Sequence, residues 1–449
     1  MGENLSPPAT PKRLFTGQIG RISKIMGPVI HVQGIANAAK LGDRVRIYGA
    51  DGPDHEPERH GHIIALSDEC ATVFCDEATT GMQLGQRVRH LPRLRLFPCD
   101  AWLGRVVDPY GQALDKRPLA MGPTPRDTAN SPPTARRGLG QRIATGYAAL
   151  NTFLPLVHGQ RVGVFAGSGV GKSTLLGHLA QHIAADVIVL ALIGERSREV
   201  YDFAQNILGP EAMQRCVIIA ATSDMPATYR AQAAFSAMTV AEYFRDQGHH
   251  VVLFADSITR LAEAHREIAA HCGELPVLRG YPPSLTAKIT ELAERAGPGG
   301  PNQGDITAVF SVLVAGSDMD EPVADIIRGV LDGHIILDRT IAERGRFPAI
   351  DLTRSVSRAL PHAASASENQ LIQKARQITA TYESAQSMIR AGFYTAGADK
   401  SLDEAVQMYP EIETFMAQSE TGTVQDSFQK LSLLFRRQPP SPAAATSTR

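Results

Sequence analysis

The stretch FAGSGVGKST, Phe165 to Thr174, joins an apolar run to a helical pattern. Gly167, Gly169 and Gly171 let the backbone turn tightly and aim its N–H groups inward, with Ser168 and Val170 between them. Such a turn cradles phosphate oxygens. The helix that follows adds partial positive charge at its N-terminus. Lys172 can reach the β and γ phosphates, and the Ser173 hydroxyl can ligate Mg²⁺, with Thr174 next in line. The strict pattern begins with glycine where this chain has Ala166, which is tolerated if that residue keeps a negative φ.

A phosphate site of this kind needs a carboxylate at the end of a buried strand to hold Mg²⁺. VVLFAD ends in Asp256, where ligands meet a parallel sheet. Ser257 can cap the following helix as well as Asp256 can. Breaking a nucleotide further needs a group that orients the attacking water. VIVLALI runs into Gly194, Glu195 and Arg196. On spacing alone, Glu195 and Arg196 could serve that chemistry or close an exposed ion pair.

These residues need a buried parallel sheet behind them. Apolar runs at 161–166, 187–193, 216–221, 251–255 and 306–314 alternate with helical stretches such as STLLGHLAQHIA. Continuous apolar strands with intervening helices mean an α/β core whose mostly parallel sheet is covered on both faces. Before it, GQIGRISKI, GPVIHVQG, DRVRIYG, GHIIALS and CATVFCDE read as short strands of a small antiparallel barrel or sandwich. PTPRDTANSPPTARRG reads as a connector, and the chain after about Ser365 reads as helical. The expected division is a β-barrel with a basic leading segment (1–97), a P-loop domain (98–364), a helical domain (365–437) and a disordered tail (438–449).

Composition bounds the function. The 449 residues carry 45 Lys plus Arg against 46 Asp plus Glu, which does not suit a general nucleic-acid binder. The five cysteines, Cys70, Cys75, Cys99, Cys216 and Cys272, include no C-x-x-C pair, so neither a zinc site nor a disulfide framework is expected. No signal peptide or apolar run of about 18 residues is legible, so the expectation is a soluble cytoplasmic protein. Residues 1–30 hold Lys12, Arg13, Arg21 and Lys24 against Glu3, either a solvated terminus or a weak anchor for acidic lipid or an acidic partner.

The motifs together resemble the flagellar and type III secretion ATPases, relatives of the catalytic subunits of rotary ATPases. They are FAGSGVGKSTLLG, LIGERSREV, AEYFRDQG, ADSITRLAEAHREIA, RGYPPSLTAKITELAERAG, DEPVADIIRGVLDGHIILDR and IAERGRFPAIDLTRSVSRALP. They cover residues 140 to 365 densely; the two ends match more loosely. The resemblance implies a RecA-like core, hydrolysis of ATP with Mg²⁺, and Glu195 as the carboxylate that activates water. It puts Arg196 and Arg260 near the phosphates and Phe347 on the adenine ring, where ordinary core packing is the alternative. It makes Arg358, at the end of SVSR, the arginine finger for a neighbouring subunit's site, with Arg354 as the decoy. A chain carrying both Glu195 and Arg358 could build complete sites between identical copies, and the family's ring is a hexamer. The implied partners are other copies of itself, stalk and regulator proteins, and export chaperone–substrate complexes. The implied place is the inner face of the cytoplasmic membrane at the flagellar base.

Two stretches depart from the family pattern: ELPVLRG, and the charged DGPDHEPERH at 51–60. Other readings fit less well. A hexameric RNA translocase should carry aromatic stacking platforms, but Phe15, Tyr48, Phe74 and Phe97 are scattered. A regulatory nucleotide-binding subunit usually lacks the carboxylate seen at Glu195. An ATP synthase catalytic subunit differs in its C-terminal helices.

Overall fold

The computed structural model describes residues 18–49, 59–125, 136–277, 279–314 and 319–436. Lys12, Arg13, most of the charged stretch 51–60, part of the expected connector and the expected tail lie outside the described residues. The chain divides into two compact units, one of residues 1–94 with 271–273, the other of residues 95–270 with 274–449.

The first unit is a closed barrel of six strands, in the order β1-β2-β5-β4-β3-β6. They are β1 (Ile19–Met26), β2 (Val29–Gln33), β3 (Arg44–Ile47), β4 (Arg59–Leu66), β5 (Cys70–Cys75) and β6 (Arg87–Leu91). Period-2 alternation makes it: in β3, Val45 and Ile47 point inward while Arg44 and Arg46 point outward. Five strands were legible in the sequence. The sixth, RVRHL, escaped because three of its five residues are cationic or His. It closes the barrel by pairing with both β1 and β3, so no edge is left open.

The second unit is built on a nine-stranded sheet. Its strands are β7 (Arg105–Val107), β9 (Arg161–Ala166), β10 (Val187–Glu195), β11 (Cys216–Thr222), β12 (Val251–Asp256), β13 (Gly297–Pro298), β14 (Asp305–Leu313), β15 (Gly333–Leu337) and β16 (Ile350–Ser357). The order is β16-β15-β9-β14-β12-β10-β11-β7, with β13 beside β14. All neighbouring pairs along that order are parallel except β15 with β16. Separately, β8 (Gly146–Tyr147) pairs with β17 (Ser419–Glu420).

The apolar runs are central because both faces are covered. Leu175, Leu176 and Leu179 of the helix Lys172–His182 pack with Ile188, Leu190 and Phe254 on one face. Met238 and Phe244 of the helix Ala227–Asp246 pack with Val189, Ala191 and Phe310 on the other. The C-terminal helices Ala366–Arg390, Lys400–Met416 and Val424–Arg436 join the first of these cores through Ile378, Ile412 and Leu431. The first of them starts at a capping box, with Ser365 and Glu368 each satisfying the other's backbone N–H. Arg142 Nη2 donates to both Glu368 carboxylate oxygens, at 2.9 Å, and ties that helix back to the sheet domain.

Candidate active site

The loop Gly167–Gly171 leaves the carboxyl end of β9 and enters the helix Lys172–His182. Gly169 and Gly171 have φ of 76° and 88°, so the turn requires glycine at both. Gly171 occupies the N-cap position without a side-chain cap, which leaves the first N–H groups of the helix for a ligand. A side chain at Gly171 would also meet the Phe347 ring, 3.3 Å from the position a Cβ would take.

The loop opens onto a cleft of ≈ 670 Å³. Gly167, Ser168, Gly169, Gly171, Lys172, Ser173 and Thr174 form its floor, and Glu195, Arg196 and Arg260 its far wall. Seven of the eight positions from 167 to 174 thus line the cleft, and the facing residues come from two other elements. Val170 is the exception within the loop. Its side chain is buried in the core, so only its backbone belongs to the turn.

Asp256 ends β12, and its carboxylate accepts bonds from the Lys172 ammonium and from Ser311 Oγ, the latter at 2.6 Å. Lys172 and Asp256 are both buried. The Asp256 carboxylate thus faces the loop lysine.

Glu195 is re-aimed by a bulge. The β10–β11 register shifts between Ile193 and Glu195, and Gly194 between them has φ 68°. Arg260 Cβ lies 3.2 Å from where a Gly194 Cβ would stand, so the bulge also needs a residue without a side chain. Burial pushes the Glu195 carboxyl up to about 7, helped by its hydrogen bond with Glu199 and the negative charge of Asp256. Lys172 opposes the shift. A carboxyl poised there can take or hold a proton near neutral pH.

Arg260 lines the cleft and donates to Glu263 at 2.9 Å, while its buried Nε has no hydrogen-bond partner among the described residues. Arg196 is largely exposed and lies 3.9 Å from Glu199. Sequence reasoning missed Glu199, Ser223, Arg230 and Leu313, which also line the cleft. Glu199 had a signal: it stands four residues after Glu195 where the chain turns into the helix Ser197–Asp202. Arg230 had none, since it comes from the start of a different helix and is held by Glu267 at 2.9 Å.

Arg358 is not in the cleft. It follows β16, whose end, Ser357, is level with Gly333 at the start of β15. The other end of β15, Leu337, is level with Ala166. Arg358 therefore lies at the opposite edge of the sheet, roughly 15 Å from the level of the phosphate loop at ~3.3 Å per residue. Its exposed guanidinium makes no hydrogen bond or ion pair among the described residues. Arg354, by contrast, is clamped between Asp351, at 2.6 Å, and Asp338.

Three family models match the chain. The nucleotide-binding domain of the ATP synthase alpha/beta family matches residues 146–357, and that family's beta-barrel domain matches 22–91. The T3SS EscN ATPase C-terminal domain matches residues 364–432. The flagellum-specific ATP synthase of Caulobacter vibrioides is 39% identical, across 93% of this chain and 96% of that one. The chain belongs to the flagellar and type III secretion ATPase family.

Its relatives in that family include both branches. The SPI-2 type 3 secretion system ATPase of Salmonella typhimurium is 44% identical over 81% of this chain and 84% of its own. The assembled ATPase EscN from the enteropathogenic E. coli type III secretion system has a TM-score of 0.85 at 36% identity, covering 92% of this chain and 99% of that one. EscN in complex with its central stalk EscO has a TM-score of 0.82, at 36% identity, with coverage of 92% and 99%. As a member of this ATPase family the chain is an ATP hydrolase. No described helix is long and apolar enough to cross a membrane.

Proposed function

We propose that the chain is the ATPase of a flagellar protein-export apparatus, working as a ring of six identical copies whose sites are shared between neighbours. The observation that carries this is the separation of Glu195 and Arg358. One stands in the cleft beside the phosphate loop; the other is exposed, without a side-chain partner among the described residues, at the far edge of the same sheet. A single copy supplies the loop, the base and the charged wall but cannot bring Arg358 to its own phosphates.

In this reading the N–H groups of Gly167–Thr174 and the Lys172 ammonium hold the β and γ phosphates of ATP, with Val170 contributing backbone only. Glu195 accepts a proton from the attacking water and orients it toward the γ-phosphorus. Arg196 and Arg260 neutralise charge on the phosphate oxygens. Phe347, beside Gly171, stacks on the adenine. Arg358 of the adjoining copy completes the site, a contribution of roughly 10³ to 10⁵ in rate for a finger of this kind.

The residues fit Mg²⁺. One carboxylate, Asp256, and one hydroxyl, Ser173, meet the loop, which is the sparse set of hard oxygen donors that Mg²⁺ accepts while keeping water and phosphate oxygens. Bound there, Mg²⁺ would neutralise charge on the phosphates. The partners belonging to this reading are a central stalk, regulator proteins and chaperone-bound export substrates; nucleic acid is not one. Its location is cytoplasmic, peripheral to the membrane at the flagellar base through the leading segment. The domain limits 1–97, 98–364 and 365–437 belong to the same reading.

The test is ATP hydrolysis per copy against protein concentration. A steep rise that tracks assembly is expected. A flat, substantial rate at concentrations where the chain is monomeric would overturn the shared-site reading.

A further inference from the structure

Next to Phe347 stands Arg346, whose side chain is buried. All three of its nitrogens are engaged. Nη1 donates to the Pro348 carbonyl at 3.0 Å and Nη2 to the Ile350 carbonyl at 2.7 Å. Nε donates to Glu413 Oε2 at 3.1 Å. The first two bonds hold the turn on the C-terminal side of Phe347. The third runs out of the sheet domain to the helix Lys400–Met416.

Packing covers only about half of Phe347. It is 49% exposed, and its ring lies over Gly171 at the mouth of the phosphate loop. With half of its surface uncovered, the ring's direction depends also on how its backbone is held. The backbone here is fixed by a guanidinium whose own position depends on a carboxylate sixty-seven residues away in sequence. A planar guanidinium with three directed bonds transmits position well, because moving one bond tilts the whole fork.

We propose that Glu413 is a positioning residue for base recognition: through Arg346 it sets the Phe347 ring against the phosphate loop, so the C-terminal helical region takes part in choosing the nucleotide. This rests on Phe347 being the adenine contact. The inference distinguishes two parts of one ligand. The triphosphate is read by the loop and does not depend on Glu413. The base is read by Phe347 and does.

The experiment uses the full-length chain and two probes, ATP and inorganic tripolyphosphate, the second lacking a base. Dissociation constants for both are measured with wild type, Glu413→Ala, Glu413→Gln and Phe347→Ala, together with KM and kcat for ATP. Glu413→Ala is expected to weaken ATP about five- to tenfold, the scale of a lost aromatic stack. Tripolyphosphate affinity and kcat at saturating ATP should stay within about twofold. Glu413→Gln, which can still accept from Arg346, should recover most of the loss. A merely structural role for Glu413 would weaken both probes together. If Glu413→Ala does not fold, Arg346→Lys keeps the charge and drops the two carbonyl bonds; the same selective loss of ATP is expected. Loss of ATP affinity in Phe347→Ala with none in Glu413→Ala or Arg346→Lys overturns the inference alone. No selective loss in Phe347→Ala overturns the adenine assignment, and the inference with it.

Discussion

The Lys172 ammonium donates to the Asp256 carboxylate beneath the phosphate loop, and both groups are buried. Two residues eighty-four positions apart are thereby paired at the point where β9 and β12 end on the same edge of the sheet. The pair places a cation for phosphate beside an anion for metal, each compensating the other's buried charge.

That pairing predicts non-additive stability. Removing either partner leaves a buried charge without compensation, at a cost of about 3–5 kcal/mol. Lys172→Met and Asp256→Leu are each expected to lower the unfolding free energy by that order. The double variant should lose clearly less than the sum. Denaturant unfolding of the four proteins checks it, and additive losses would mean the pair is not coupled. Lys172→Met should also abolish detectable ATP binding in calorimetry.

Glu195 sets a pH dependence. Its carboxyl, raised by burial and by Glu199 to about 7, must be ionised to accept a proton from water. We expect kcat/KM, corrected for the ionisation of ATP, to rise with pH and level off above about 7. Glu199→Gln removes a negative neighbour and should move that rise to lower pH. Glu195→Gln should keep ATP binding and lose at least about 10²-fold in hydrolysis. Hydrolysis at the wild-type rate in Glu195→Gln would remove this residue from the chemistry.

The same shift makes a stability prediction of opposite sense to an ordinary carboxylate. The folded chain keeps a proton on Glu195 that the unfolded chain loses near its usual 4.5, so the unfolded state binds fewer protons between 4.5 and about 7. Stability must therefore fall as pH rises through that window. Glu195 is only partly buried, so the effect after solvent screening is ~1 kcal/mol. Glu195→Gln should raise the melting temperature at pH 8 and leave it nearly unchanged at pH 4. Equal shifts at both pH values would contradict the assignment.

Arg358 can be tested by mixing. Arg358→Ala and Glu195→Gln proteins are each expected to hydrolyse ATP at below about one hundredth of the wild-type rate. In mixed assemblies some interfaces pair an intact Glu195 with an intact Arg358, and activity should return in proportion to their number. Verified mixed assemblies that stay inactive would argue against a finger supplied in trans. Arg354→Ala, which breaks the clamp to Asp351 and Asp338, should act through stability and show no such recovery.

The sequence by itself determined the phosphate loop, because strand, glycines, Lys172 and helix are contiguous, and a local turn is specified by local backbone freedom and charge. It likewise determined five barrel strands and five of the nine strands of the central sheet, because alternation and continuous apolar runs record which faces are covered. The family motifs pointed to Glu195, Arg260 and Phe347 in the same way, one residue at a time. What only the tertiary structure decided is which groups share a space. The Glu195–Glu199 contact, Arg230 in the cleft wall, and the anchoring of the Phe347 turn by Glu413 are all meetings between elements that the linear text keeps apart. So is the placement of Arg358 beyond the reach of its own phosphate loop. That last point depends on β16 running antiparallel to β15, and strand direction is settled by which ladder of backbone hydrogen bonds forms across the sheet.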